Sequence, residues 1–233
     1  MTDPTTCVSP LGTIPLAGLL KGDGASDVHW KPDFVNHAVV LTVPPKNLPP
    51  VDKKFIVGCT EVAQGYCLLH ITLSAGTSST DNQSVSCAYG SASNEQVQKV
   101  TITPKNPTFT LNCSTDGTMQ PTSFTTNYCA DADTVQDDCT QKYASLLDGY
   151  SKTWWHVSQT QTSNQATLTI PADKFPEAET KLGLGCKATT PLSNSTTCKV
   201  ELTITRNNSS SVWRLSLSVT AFLALTGALP FLM

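Results

Sequence analysis

The stretch Leu182-Gly183-Leu184-Gly185-Cys186, followed by Cys198-Lys199-Val200-Glu201-Leu202-Thr203-Ile204, decides how this chain folds. Its second half alternates apolar and polar residues with period 2, as a strand with one buried face does. The same order occurs earlier as Phe55-Ile56-Val57-Gly58-Cys59, then Cys67-Leu68-Leu69-His70-Ile71-Thr72-Leu73. The match continues upstream. Leu168-Thr169-Ile170-Pro171 to Phe175-Pro176 answers to Leu41-Thr42-Val43-Pro44 to Leu48-Pro49. Trp154-Trp155 answers to Trp30, and Cys139 to Cys7. Cys7 and Cys59 are 52 positions apart, Cys139 and Cys186 are 47; the closing pairs are 8 and 12 apart. Features recurring in one order at such intervals indicate a tandem duplication.

Further segments read as strands: Val100 to Thr103, Phe109 to Asn112 and Ala166 to Ile170. Each alternates and is bounded by Pro, Gly, Asn or Ser. Many short strands with regular turn signals predict a β-sandwich. Helical signal is confined to Leu11–Leu20 and Tyr143–Leu147, each enough for a short turn. The run 75–84 (Ala-Gly-Thr-Ser-Ser-Thr-Asp-Asn-Gln-Ser) reads as a polar linker. The expected organisation is an incomplete first domain at 1–74, a linker at 75–84, a six-cysteine domain at 85–205 and a terminal signal at 206–233.

Composition narrows the function. The chain has 233 residues, 14% of them charged, and a net charge of −3. That gives no electrostatic case for nucleic acid, which needs clustered Lys and Arg. No Gly-x-Ser-x-Gly elbow, His-Glu-x-x-His or phosphate loop occurs. His29 and His156 adjoin Trp at equivalent places in the repeats, which points to packing. Neither a catalytic site nor a cofactor is expected. A blue-copper centre is rejected because Met occurs only at 1, 119 and 233. Asp131, Asp133, Asp137 and Asp138 crowd one loop without the Gly and Glu of an EF-hand, so no metal is expected. Trp30, Trp154 and Trp155 are expected to pack in or beside a core.

Leu215 to Met233 is an apolar run preceded by Asn207-Asn208-Ser209-Ser210-Ser211. No Lys or Arg follows it, unlike the cytoplasmic flank of a typical spanning helix. A small polar block and a greasy tail read as a GPI-attachment signal, with Asn207, Asn208 and Ser209 as candidate attachment residues. The alternative is a retained span. Sequons stand at Asn82, Asn112, Asn194, Asn207 and Asn208, which suits an exported chain. Met1-Thr2-Asp3-Pro4 lacks the positive start of a secretory signal.

The nine cysteines show no zinc-type spacing, so in an exported chain they read as a disulfide framework. The odd number leaves at least one thiol without an internal partner. The second copy carries Cys87, Cys113 and Cys129 ahead of Cys139; the first has none ahead of Cys7. The first domain is therefore expected to lack its opening half, with the natural N-terminus upstream.

These features resemble the SRS family of surface antigens of Toxoplasma and related coccidian parasites. The resemblance rests on the six-cysteine second copy, the Leu-Thr-Ile-Pro…Phe-Pro element, the Leu-Gly-Cys…Cys-x-Val-x-Leu close and the GPI-type tail. It implies an all-β fold of tandem disulfide-stapled antiparallel β-sandwich domains, SRS type, with the first incomplete. It also implies nested bridges, Cys87–Cys198, Cys113–Cys186 and Cys129–Cys139; the residues alone leave 15 pairings open. Cys7, Cys59 and Cys67 would then lack their family partners, and residues 1–74 would not be expected to fold stably.

By the same resemblance the chain is a GPI-anchored antigen or adhesin on the outer leaflet of the plasma membrane. Its implied partners are host cell-surface molecules, glycans among them, and host antibodies, with homodimerisation a family trait. Residues 1–80 carry 5 Lys against 6 acids, and Lys46, Lys53 and Lys54 form the one local basic cluster, the candidate ligand contact. Two other readings are an immune decoy without a dedicated receptor and a truncated fragment that is not exported.

Overall fold

The computed structural model describes residues 6–9, 12–20, 28–33, 38–61, 65–160, 163–190 and 195–206. No α-helix occurs among them. Short 3₁₀ turns at Leu16–Leu19 and Tyr143–Ser145 fall where the sequence predicts turns.

Among the described residues the first repeat holds three antiparallel ribbons. They are β1 (Thr6–Ser9) with β2 (Gly12–Pro15), β3 (His29–Asp33) with β4 (Ala38–Thr42), and β5 (Lys53–Glu61) with β6 (Gly65–Leu73). The short strands β7 (Ser79–Asp81) and β8 (Ser84–Ser86) open the second part. Then come β9 (Gln98–Ile102), β10 (Thr108–Asn112), β11 (Gly117–Gln120), β12 (Asn127–Tyr128) and β13 (Gln141–Lys142). β14 (Trp155–Gln159), β15 (Asn164–Thr169), β16 (Thr180–Ala188) and β17 (Cys198–Ile204) complete it.

Two sheets form the second repeat: β14-β15-β10-β8-β7 and β11-β16-β17-β9. The pairings are antiparallel except β8 with β10 and β9 with β17, one parallel pair per sheet. Inward residues of both sheets make one core. β17 buries Cys198, Val200, Leu202 and Ile204 in strict alternation, and β10 buries Phe109 and Leu111. Burying one such side chain contributes roughly 1.5–3 kcal/mol.

β16 breaks the alternation, since Leu182 to Cys186 are all buried. Leu182, Leu184 and Cys186 join the core. Gly183, between them on the outer face, lies beneath the loop 129–139. A side chain there would place its Cβ 2.0 Å from the Asp131 carbonyl oxygen. Gly183 and Cys129 exchange two backbone hydrogen bonds, 3.0 and 2.8 Å. The Leu-Gly-Leu-Gly-Cys signature thus records a strand covered on both faces, with glycine where backbone meets backbone.

The repeat is visible in backbone detail. Pro44 (φ −61°, ψ 145°) precedes a 3₁₀ turn at Pro45–Asn47, and Pro171 (φ −56°, ψ 138°) one at Ala172–Lys174. Proline fixes φ at the entry of both turns.

The segment 75–84, expected as a linker, is more ordered than that. Ser79–Asp81 form β7, an edge strand whose three residues are all exposed. An edge strand paired through its backbone needs no apolar pattern, so its sequence reads as linker.

Candidate functional site

Lys46 lies exposed in the Pro45–Asn47 turn, and Lys53 and Lys54 open β5. Adjacent strand residues point to opposite faces. Lys53, half-buried, reaches Asp116 at 3.7 Å, whereas Lys54 is exposed. The structure therefore divides the cluster: Lys53 ties the two repeats together, and Lys46 and Lys54 face solvent. Lys53 and Asp116 each keep about a third of their side-chain exposure (33% and 31%), so the pair contributes about 0–1 kcal/mol.

Beside Lys46 is a cleft of about 340 Å³ between the repeats, lined by Pro45, Leu48 and Pro49 on one side and Gly76, Thr77 and Ala88 on the other. Backbone bonds hold its walls. The Pro49 carbonyl accepts from Gly76 N–H at 2.9 Å, and the Pro50 carbonyl from Tyr89 N–H at 2.7 Å. The Asp52 carboxylate accepts from Ala75 N–H at 2.8 Å. Val51 packs against the core of the second repeat.

Buried Ser93 fastens Gly76, in the 75–84 segment, to the second repeat. Its hydroxyl donates to the Gly76 carbonyl at 2.6 Å and accepts from Gly90 N–H at 2.8 Å. Asn94 donates to Thr196 Oγ1 at 2.9 Å, and the Thr196 hydroxyl donates to the Gly90 carbonyl at 2.8 Å. Sequence reading missed Ser93 and Asn94. They stand in an ordinary Ser/Asn-rich loop, and their partners are 17 and 102 positions away.

Three disulfides occur among the described residues: Cys87–Cys198, Cys113–Cys186 and Cys129–Cys139. They close loops of 111, 73 and 10 positions. The chain-entropy account assigns roughly 3 kcal/mol to the shortest and 4–5 kcal/mol to the other two. In backbone register Cys186 faces Cys198, yet each bonds to an earlier cysteine. Cys59 faces Cys67 in the same register across β5 and β6. Cys7 lies on β1 opposite Ile14. The side chains of Cys7, Cys59 and Cys67 are outside the described residues, as are Asn194, Asn207, Asn208, Ser209 and the run 215–233.

The acidic loop is tied down by its own surroundings. Asp133 pairs with Lys199 at 3.8 Å, and Asp131 accepts from Thr134 N–H at 2.8 Å. Asp137 accepts from Lys187 and Thr122, which hold its carboxyl down to about 2. Among the described residues no group of three His, Cys, Asp or Glu stands together as metal ligands would.

The aromatic signal resolves into packing. Trp155 is buried, edge-on to Phe124 with ring centres 5.3 Å apart. Tyr143 is fully buried and stacks on Tyr150 at 5.0 Å. Burial pushes the Tyr143 phenol well up and that of Tyr150 up to about 12. His156, next to Trp155, is exposed on the edge strand β14. Trp154 is half-buried against the core, and the side chains of Trp30, His29 and His37 are outside the described residues.

These features define a class: an all-β tandem repeat whose second copy is a disulfide-stapled, two-sheet sandwich. The chain belongs to the SRS-domain family of surface antigens, whose model (SAG: SRS domain) matches residues 2–73 and 83–204. Among solved structures it is similar to the bradyzoite-specific antigen BSR4 from Toxoplasma gondii. That match has 32% identity and a TM-score of 0.69, covering 88% of this chain and 75% of that one. SporoSAG from Toxoplasma gondii matches with 16% identity and a TM-score of 0.34, covering 86% of this chain and 80% of that one. No curated protein sequence matches. Family members are surface antigens and are not known as enzymes. No helix among the described residues is long and apolar enough to cross a membrane.

Proposed function

We propose that this chain is an antigen and adhesin held on the cell surface by a GPI anchor, attaching to host cells and meeting host antibodies. The observation that carries this reading is the match to an antigen of Toxoplasma gondii over 88% of the chain. Three bridges suit an oxidising compartment. The apolar run from Leu215 to Met233, behind a block of small polar residues, suits GPI attachment at Asn207, Asn208 or Ser209.

In this reading the second repeat is the anchored spacer and the first carries the contact surface, with Lys46 and Lys54 on it. The bonded joint transmits the orientation of one repeat to the other. Host surface molecules bearing acidic groups are the partners that these lysines suit.

The test is release from intact cells by phosphatidylinositol-specific phospholipase C, followed by binding of the released chain to host cells. Release without the tail 215–233, with binding lowered by Lys46→Ala and Lys54→Ala together, is the expected result. A chain that stays with the cell overturns the anchor. Release without binding overturns the adhesin and leaves display to the immune system as the function.

A further inference from the structure

We propose that Asn82 is an N-glycosylation site and that Asn112 is not. The inference rests on the surface-display reading, because the oligosaccharide is added in the secretory pathway. Both residues satisfy the same sequence rule, Asn82-Gln83-Ser84 and Asn112-Cys113-Ser114. Their structural settings differ.

Asn82 and Gln83 are the two residues of a hairpin turn, since Asp81 faces Ser84 in the register of β7 with β8. Asn82 has φ of 52°, the left-handed conformation that Asn tolerates and a two-residue hairpin uses. Its side chain is exposed. Its amide nitrogen donates to its neighbour Asp81 at 3.1 Å. A sugar on that nitrogen leaves one hydrogen for this bond and extends into solvent.

Asn112 ends β10, an inner strand with β15 on one side and β8 on the other. Its side-chain oxygen accepts from Ser114 N–H at 2.9 Å. The Ser114 hydroxyl, needed for recognition of the sequon, accepts from Asp116 N–H at 3.2 Å. The intervening Cys113 is fully buried in its bridge to Cys186. Asn112 is only half-exposed at a strand end beside that buried bridge, whereas a bulky, hydrated group belongs on an exposed surface turn.

The chemistry is a group transfer from a lipid pyrophosphate-linked oligosaccharide. Asn82 Nδ2 loses one proton and forms a bond to the anomeric carbon of the first sugar. The carbon–oxygen bond to the lipid pyrophosphate breaks, and the pyrophosphate leaves with the electron pair. No oxidant or reductant is involved. The sugar then stands beside β7, the fully exposed edge of the five-stranded sheet. A bulky polar group there obstructs pairing with another strand edge. Host contacts would thereby be kept off this edge.

The test is expression of the full chain in a secreting eukaryotic cell, followed by enzymatic removal of N-glycans in heavy-oxygen water and peptide mass spectrometry. Non-reducing peptide mapping of the three bridges shows in the same sample that the chain passed through the oxidising compartment. The expected result is heavy-oxygen Asp at position 82 and unlabelled Asn at 112. Ser84→Ala removes the label and Ser84→Thr keeps it, which separates the recognition rule from any effect on folding. Unlabelled Asn82 in a chain with all three bridges formed overturns the proposal while leaving surface display intact. Label at Asn112 also overturns it. A chain retained inside the cell with reduced cysteines overturns the display reading, and this proposal with it.

Discussion

β6 and β17 occupy the same place in the two repeats and carry the same alternation. Cys67, Leu69, Ile71 and Leu73 stand where Cys198, Val200, Leu202 and Ile204 stand. Leu69 is 59% exposed, whereas Val200 is 0% exposed. β17 lies between β16 and β9 with a second sheet across the core; β6 pairs with β5 alone among the described residues. The pattern of a strand therefore says which face wants cover, and the neighbours say whether it gets any. The outer faces differ as well. Gly183 lies under the loop 129–139, and its counterpart is Ile56, where a full side chain fits.

The largest expected effect breaks the covered repeat. Replacing Cys113 and Cys186 together by Ala removes the bridge that closes 73 positions. Denaturant unfolding of the chain should show a loss of about 4 kcal/mol by the loop-entropy relation. An unchanged midpoint would mean that packing alone holds the sandwich. Next in size is a matched pair. Leu202→Ala should cost about 2–5 kcal/mol. Leu69→Ala, at an exposed position, should stay within about 0.5 kcal/mol. Equal losses in the two variants would show that β6 is covered as β17 is.

A third contrast concerns the outer faces. Gly183→Ala forces a Cβ against the Asp131 carbonyl and should destabilise by about 1–3 kcal/mol. Ala at position 56 carries less side chain than the native Ile and meets no such clash. Comparable thermal shifts from Ile56→Ala and Gly183→Ala would contradict the covering role of the loop. The smallest effect is electrostatic. Lys187 and Thr122 hold the Asp137 carboxyl at about 2 in the folded chain, below its ordinary 3.8. The unfolded chain binds that proton first, so the contribution is present above pH about 4 and is lost as pH falls towards 2. Asp137→Asn should flatten the stability profile in that window and lower stability at neutral pH, where the contribution is fully present, with the two proteins converging as pH falls towards 2.

Much of this was legible in the chain. Val100, Phe109, Ala166 and Cys198 each lie in a strand that alternation predicts, and β17 has the predicted bounds, Cys198–Ile204. The tandem repeat was legible too, and it extends to the two proline-entered turns at 45–47 and 172–174. β7 was not legible, because an exposed edge strand has no face to mark. The Lys46, Lys53 and Lys54 cluster read as one patch, although strand geometry and Asp116 divide it.

The sequence by itself determined the class of structure, the repeat and the faces to be buried, because alternation and turn chemistry depend on residues a few positions apart. The tertiary structure decided which of fifteen cysteine pairings forms, where the loop 129–139 lies and how Ser93 ties Gly76 of the 75–84 segment to the second repeat and Asn94 ties Thr196 within it. Those outcomes depend on segments 10 to 111 positions apart meeting in space. No local pattern encodes them, since each is selected by the free energy of closing the whole sandwich.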